Sequence, residues 1–206
     1  MRQLLTMCAM HTYISKAKVG TISALTVLAL FGFVTSTYAQ TSVPADPKAE
    51  PKLAVILNSG EATVSLIDMP SRKVIKTVPV GKEPHHLMMT PDQKTLLIAN
   101  AAGNDVVLMN PTTGELTGRI PDIIDPYQIG YSPNHKWFVA NGNRLDRVDV
   151  YHAQGEDLKL AKSIKLGKTP SHVAFTADSK IAFITLQDSN ELAAIDLDTQ
   201  TVIWKM

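Results

Sequence analysis

P-H-H-L-M-M-T-P-D-Q-K (Pro84–Lys94), P-Y-Q-I-G-Y-S-P-N-H-K (Pro126–Lys136) and P-S-H-V-A-F-T-A-D-S-K (Pro170–Lys180) are three versions of one segment. Their opening prolines stand 42 and 44 residues apart. Between them, three further series recur in the same phase. The first is L-A-V-I-L-N (Leu53–Asn58), L-L-I-A-N (Leu96–Asn100), F-V-A-N (Phe138–Asn141) and A-F-I-T (Ala182–Thr185). The second is V-S-L-I-D, V-V-L-M-N, V-D-V-Y and L-A-A-I-D, beginning at Val64, Val106, Val148 and Leu192. The third is V-I-K-T-V-P-V-G (Val74–Gly81), L-T-G-R-I-P (Leu116–Pro121), A-K-S-I-K-L-G (Ala161–Gly167) and T-V-I-W-K-M (Thr201–Met206).

Each series is short, apolar and rich in β-branched residues, and turn formers such as D-Q-K, N-A-A-G-N-D and N-P-T-T-G-E separate one from the next. No stretch after residue 40 sustains helical spacing. Four short strands in a repeat of about 42 residues predict a propeller blade, a four-stranded antiparallel sheet that buries its faces by stacking on its neighbours. The expected fold is therefore all-β, a β-propeller of about four blades at residues 53–81, 84–121, 126–167 and 170–206.

The run from Val64 to Asn100 (V-S-L-I-D-M-P-S-R-K-V-I-K-T-V-P-V-G-K-E-P-H-H-L-M-M-T-P-D-Q-K-T-L-L-I-A-N) resembles the YVTN-family β-propeller repeat, and the resemblance covers residues 53–206. The pattern is departed from at Gln93, where the turn glycine would fall. It is departed from again at Asn143–Asp149 and Gln154–Lys159, where two turns of the third unit look longer and more polar. Fifteen strands can be counted, because no proline-led strand precedes Leu53. The resemblance implies rings of about seven blades, so an incomplete or open ring is expected. Three arrangements stay open: a truncated reading of a longer protein, an arc closed by homodimerisation through its open blade faces, or a four-bladed ring closed by the linker. Pro44, Pro47 and Pro51 count against the last, since proline interrupts a ladder.

Ahead of the repeats lie Arg2, Lys16 and Lys18 with no acid, then an uncharged run, Val19–Val34, then T-S-T-Y-A-Q with Thr37 and Ala39 before a cleavage point. That order is a signal peptide over residues 1–39, followed by a proline-rich linker at 40–52. Export to the periplasm or the medium through the general secretory route is expected, with an uncleaved N-terminal anchor as the alternative. The run is short for a span, which needs about 20 apolar residues, so no stable membrane span is expected after cleavage. Cys8 precedes the apolar run and is the only cysteine, which leaves the body without disulfide, thiolate ligand or cysteine nucleophile.

The chain carries 20 basic and 19 acidic residues. With the three N-terminal cations removed, the body has a net charge of −2, which argues against nucleic acid and anionic lipid as partners. Nucleic-acid binding, known for some propellers of this repeat type, remains a second alternative implied by the resemblance alone. No G-x-S-x-G or phosphate-cradling glycine loop occurs, and Ser171 and His172 point apart on a strand. The acids and amides of the turns (Asp92, Asn134, Asp178) and of the strand ends (Asp68, Asn110, Asp196) recur in every unit, which marks them as turn-fixing groups rather than a catalytic pair.

In a propeller the first strand of each blade lines the central channel. The repeat places His86, Gln128 and His172 at equivalent positions there, with His85 adjacent. Neutral imidazole can ligate a metal or a haem iron. A distant similarity to the haem-carrying propeller domain of dissimilatory nitrite reductases makes His86 and His172 candidates for that role, although no C-x-x-C-H motif is present. Met88 and Met89 fall on opposite faces of the strand, which suits packing better than copper. The leading expectation is a non-enzymatic scaffold binding a small ligand or a protein, without a cofactor. A haem- or metal-carrying redox propeller is the alternative. The loop bearing Arg144, Asp146 and Arg147 is the candidate partner surface.

Overall fold

The computed structural model describes residues 53–206; the signal-peptide and linker assignments lie outside them. Fifteen strands form four antiparallel sheets. The first holds β1 (Leu53–Asn58), β2 (Thr63–Asp68) and β3 (Lys73–Pro79). The second holds β4 (Pro84–Met89), β5 (Leu96–Asn100), β6 (Asp105–Met109) and β7 (Leu116–Pro121). The third holds β8 (Pro126–Tyr131), β9 (Trp137–Gly142), β10 (Arg147–Gln154) and β11 (Asp157–Lys165). The fourth holds β12 (Pro170–Phe175), β13 (Ile181–Leu186), β14 (Glu191–Asp196) and β15 (Thr201–Lys205). In each sheet the strands lie in chain order. The fold is an all-β propeller whose sheets are not closed into a ring.

Three apolar clusters fill the three spaces between successive sheets. Val64, Leu66 and Val78 pack on Leu96, Ile98, Val107 and Met109. Leu97, Ala99, Val106 and Leu108 pack on Ile129, Phe138, Ala140 and Tyr151. Val139, Val148, Val150 and Ile164 pack on Ala182, Ile184, Ala193 and Ile195. Strand alternation lets the middle sheets serve two clusters at once. Met88 joins one cluster and Met89 the other, on opposite faces of β4.

The turn after each proline-led strand is built by the same bonds. Thr90 Oγ1 donates to Asp92 Oδ1 (2.7 Å), which also accepts Lys94 N (3.2 Å), while Thr95 N donates back to Thr90 Oγ1 (3.1 Å). Ser132 with Asn134, and Thr176 with Asp178, repeat the pattern. The hydroxyl bond, then the backbone bond, holds the Asp92 and Asp178 carboxyls below the usual range. Gln93, His135 and Ser179 each have φ 61° at the position the family gives to glycine. Three side chains thus tolerate the left-handed region that glycine enters without cost. Asp68, Asn110 and Asp196 cap the next hairpins through bonds from Ser71, Thr113 and Thr199 backbone N–H.

The third unit differs from the expectation of two lengthened turns. The β9–β10 loop has the same span as its counterparts, because Gly142 pairs with Arg147 as Asn100 pairs with Asp105 and Asn58 with Thr63. The additional residues extend β10 and β11 instead. They end in a tight turn at Gly155 (φ 64°), where Gln154 pairs with Asp157. Strands this polar (His152, Gln154, Asp157, Lys159) read as loop because their outer ends face solvent. Tyr131 fastens the hairpin by donating from its hydroxyl to Gly155 O (2.7 Å).

Candidate functional site

The proline-led strands β4, β8 and β12 form the inner edge of the arc, each at the end of its sheet. All three follow a residue in the left-handed region: Glu83 (φ 56°), Asp125 (φ 50°) and Thr169 (φ 59°). Proline next fixes its own φ and offers no N–H to the ladder. The register breaks immediately afterward in each pairing, between Pro84 and His86, Pro126 and Gln128, and Pro170 and Val173. Those breaks aim the residues after the proline toward the neighbouring sheet or the inner edge instead of into the ladder.

The four candidate residues divide into two pairs. His85 stacks on Tyr127 with ring centroids 3.7 Å apart, and its Nδ1 lies 3.0 Å from Tyr127 O. Gln128 Oε1 accepts Val173 N at 2.6 Å. Both side chains therefore join one blade to the next. His86 and His172 are not engaged in this way. The His86 ring is half-buried, its Nδ1 is buried without a hydrogen-bond partner, and its pKa is depressed to about 4. Burial is the chief cause, then the neighbouring His85 and His172 rings. The imidazole is accordingly neutral at pH 7 and able to donate from one nitrogen and accept at the other. His172 is exposed, and its backbone N donates to Thr185 Oγ1 (3.0 Å).

Among the described residues no group of three or more His, Cys, Asp or Glu is placed to hold a metal ion. Two imidazoles alone make an incomplete set for one. Ser171 Oγ lies within bonding distance of Thr169 O (3.1 Å) and Gln187 Oε1 (3.0 Å), and His172 is not its partner. His135 is exposed in its turn. His152 is exposed within β10, with its ring 4.5 Å from that of Trp137.

The loop residues Arg144, Asp146 and Arg147 are occupied within the chain. Arg144 pairs with Glu83 (2.7 Å) and with the buried Asp125 (3.0 Å), bridging the second and third sheets. Those two acids hold its guanidinium pKa above the usual value, the Glu83 bond first. Asp146 Oδ1 accepts Thr169 N (3.0 Å), and Arg147 pairs with the buried Asp149 (2.7 Å). Asn104 Oδ1 accepts Asp125 N (2.9 Å) at the position equivalent to Asp146. The second and third connectors thus each receive a side-chain acceptor from the sheet they leave, whereas the first sheet carries Ala62 at that place. Asp125, Asp149 and Tyr127 were missed in the sequence. The legible signal was the polar residue recurring immediately before each repeat proline. A shallow cavity of about 360 Å³ lies at the far ends of the same three strands, lined by Met88 and Met89 of β4, Tyr131 of β8 and Phe175 of β12 with His135 of the next turn, and neither His86 nor His172 lines it.

Among known proteins, a curated ribosome biogenesis protein BOP1 homolog from Aedes aegypti is 32% identical over 74 residues, which is 36% of this chain and 8% of that one. Among solved structures, the hydrazine synthase of Kuenenia stuttgartiensis superposes with a TM-score of 0.60 at 22% identity, over 84% of this chain and 52% of that one. The periplasmic gluconolactonase of Pseudomonas aeruginosa superposes with a TM-score of 0.59 at 14% identity, over 75% and 50%. The chain spans about half the length of these structures, and at such identities the likeness is one of fold. Residues 17–206 match the YNCE-like beta-propeller family, so the repeat resemblance read from the sequence is borne out and the chain belongs to that family.

Proposed function

We propose that this chain is an exported, non-enzymatic propeller scaffold that holds a small polar ligand or a protein segment at the inner edge formed by β4, β8 and β12. One observation carries the reading: His86 keeps a buried, unpartnered ring nitrogen beside His172, while His85 and Gln128 are used in joining blades. A buried polar atom without a partner is costly, and a ligand that supplied the missing bond would recover that cost. The export assignment rests on the basic, apolar and small-residue order of residues 1–39.

The fold neighbour that is a periplasmic gluconolactonase suggests the first probes, a sugar acid and its lactone. Gluconate titrated into the full chain should move the His86 imidazole resonances in NMR spectra, and His86→Ala should weaken binding at least tenfold. Hydrolysis of the lactone that disappears in both His86→Ala and His172→Ala would replace the scaffold reading with an enzymatic one. A Soret band in protein purified from its native compartment would replace it with the haem-carrying reading. Retention on DNA at moderate salt would favour the nucleic-acid alternative.

A further inference from the structure

Three departures from the repeat meet at the cavity at the far ends of β4, β8 and β12. In the inner strand of the third sheet, Gly130 stands where β4 carries Met88 and β12 carries Ala174. A Cβ on Gly130 would come within 3.0 Å of both Phe175 Cε2 and Val173 Cγ1, so the bare backbone lets the Phe175 ring lie against β8. The extended β10–β11 hairpin is the second departure. Its tip is tied to the second and third sheets, where Thr95 Oγ1 donates to Glu156 Oε1 and the Tyr131 hydroxyl donates to Gly155 O (2.7 Å). The Tyr131 ring is fixed further by Phe138, edge to face with centroids 4.9 Å apart.

His135 is the third. Gln93, His135 and Ser179 all hold the left-handed conformation, which is costly to any residue with a Cβ. Ser179 Oγ accepts Asn134 N from the neighbouring blade (2.8 Å), and Gln93 Nε2 donates to Thr90 O (3.4 Å). The His135 ring makes no hydrogen bond within the described residues, and it is exposed at the cavity. Backbone strain of this kind gathers at ligand sites. The cavity is otherwise lined by the half-buried Met88, Met89, Tyr131 and Phe175. The lining hydroxyls of Thr90 and Ser132 are committed to Asp92 (2.7 Å) and Asn134 (2.8 Å). Among the described residues no carboxylate, ammonium or guanidinium lines it, which leaves the Gln93 amide oxygen and the His135 imidazole as its free polar groups.

We propose that this cavity is a second binding site, taking an uncharged aromatic ring with one polar group, the class of a phenol or an indole. Its volume of about 360 Å³ lies in the range of small-ligand pockets. Aromatic and thioether walls favour a flat, polarisable ring. The imidazole and the amide oxygen offer a donor and an acceptor to one polar substituent. Thioether and imidazole also suit a soft ion such as Cu(I). Met88 and Met89, however, belong to clusters on opposite sides of β4, so a ring that both flank fits better than an ion that both must ligate. No lining residue comes from the first sheet or from either end of the sequence, so the walls are complete within three successive sheets. In a repeat protein the residues that depart from the repeat often mark the binding face. The site shares neither His86 nor His172 with the inner edge, and the two readings stand or fall separately.

The test is an NMR titration of the full chain, labelled at the methionine methyl groups, with p-cresol and with indole. Both should shift the Met88 and Met89 methyl signals and the His135 ring signals saturably, with half-saturation below about 1 mM. Benzoate, a ring of similar size bearing a full charge, should bind about tenfold more weakly or worse. His135→Gly should weaken p-cresol binding about fivefold or more while raising the unfolding midpoint, so that lost binding is not lost folding. Phe175→Leu should weaken both probes about tenfold. His86→Ala, at the inner edge, should leave their affinity unchanged. No saturable shift with either probe, a response to Cu(I) alone, equal affinity for benzoate, undiminished binding in His135→Gly or Phe175→Leu, or loss of binding in His86→Ala would each overturn the proposal.

Discussion

The second and third sheets are covered on both faces, whereas the first and fourth are covered on one. Residues of similar character therefore meet different environments. Leu97 and Val139 are sealed between sheets, and Phe183, in the same place on the fourth sheet, meets solvent. The repeat writes an interior into every blade, and the neighbouring blade decides whether it becomes one. Sequence pattern specifies a face, and stacking specifies its burial.

The sharpest test of that contrast is a pair of equivalent truncations. Leu97→Ala should destabilise the chain by about 3 kcal/mol, the usual cost of a cavity in a sealed core. Phe183→Ala should cost about 1 kcal/mol, because its side chain is only half-buried. Urea unfolding reads both, and equal losses would break the contrast.

The histidines provide a second comparison along the same axis, His86 in a covered sheet and His172 in an end sheet. A folded-state pKa of about 4 against a reference of 6.5 means that the unfolded chain binds the proton first as pH falls. Stability should therefore be intact above pH 6.5 and fall by about 3 kcal/mol between pH 6.5 and 4. His86→Gln should flatten the dependence in that window. Thermal melts across the window check it.

Smaller effects sharpen the picture at the connectors. Asn104→Gly should cost about 1 kcal/mol by removing the acceptor for Asp125 N. The equivalent Asn190→Gly should change stability by less than about 0.5 kcal/mol. The smallest effect concerns the left-handed turn positions. His135→Gly should stabilise by about 0.5–1 kcal/mol by relieving the Cβ clash. Ser179→Gly should gain nothing, because Ser179 Oγ accepts Asn134 N from the neighbouring blade (2.8 Å). Chemical denaturation of the two variants decides it.

The strands and turns were legible because each appears several times, and the copies correct one another. Leu53–Asn58, Leu96–Asn100 and Leu116–Pro121 were bounded as observed. The hairpin of the third unit was misread because its distinguishing residues occur once, and polar residues in a protruding ladder resemble a loop. The candidate site was legible only in part. Periodicity placed His86, Gln128 and His172 at one edge, but the role of Gln128 depends on Val173 N, 45 residues away and in another sheet. The pairing of Arg144, placed on the candidate partner surface, was not legible because Glu83 and Asp125 belong to connectors whose folding brings them back across a blade. Such contacts leave no periodic trace.

The strictly sequential strand order has a kinetic consequence. Every ladder within the sheets joins strands adjacent along the chain, and no sheet requires a strand from elsewhere in residues 53–206. Loop closure is therefore short for each pairing, and long-range search is confined to the docking of finished sheets. Folding can advance as a moving front, each hairpin forming from chain just behind it and each completed sheet templating the next. A polypeptide emerging end-first through a narrow exit can be handled in that order.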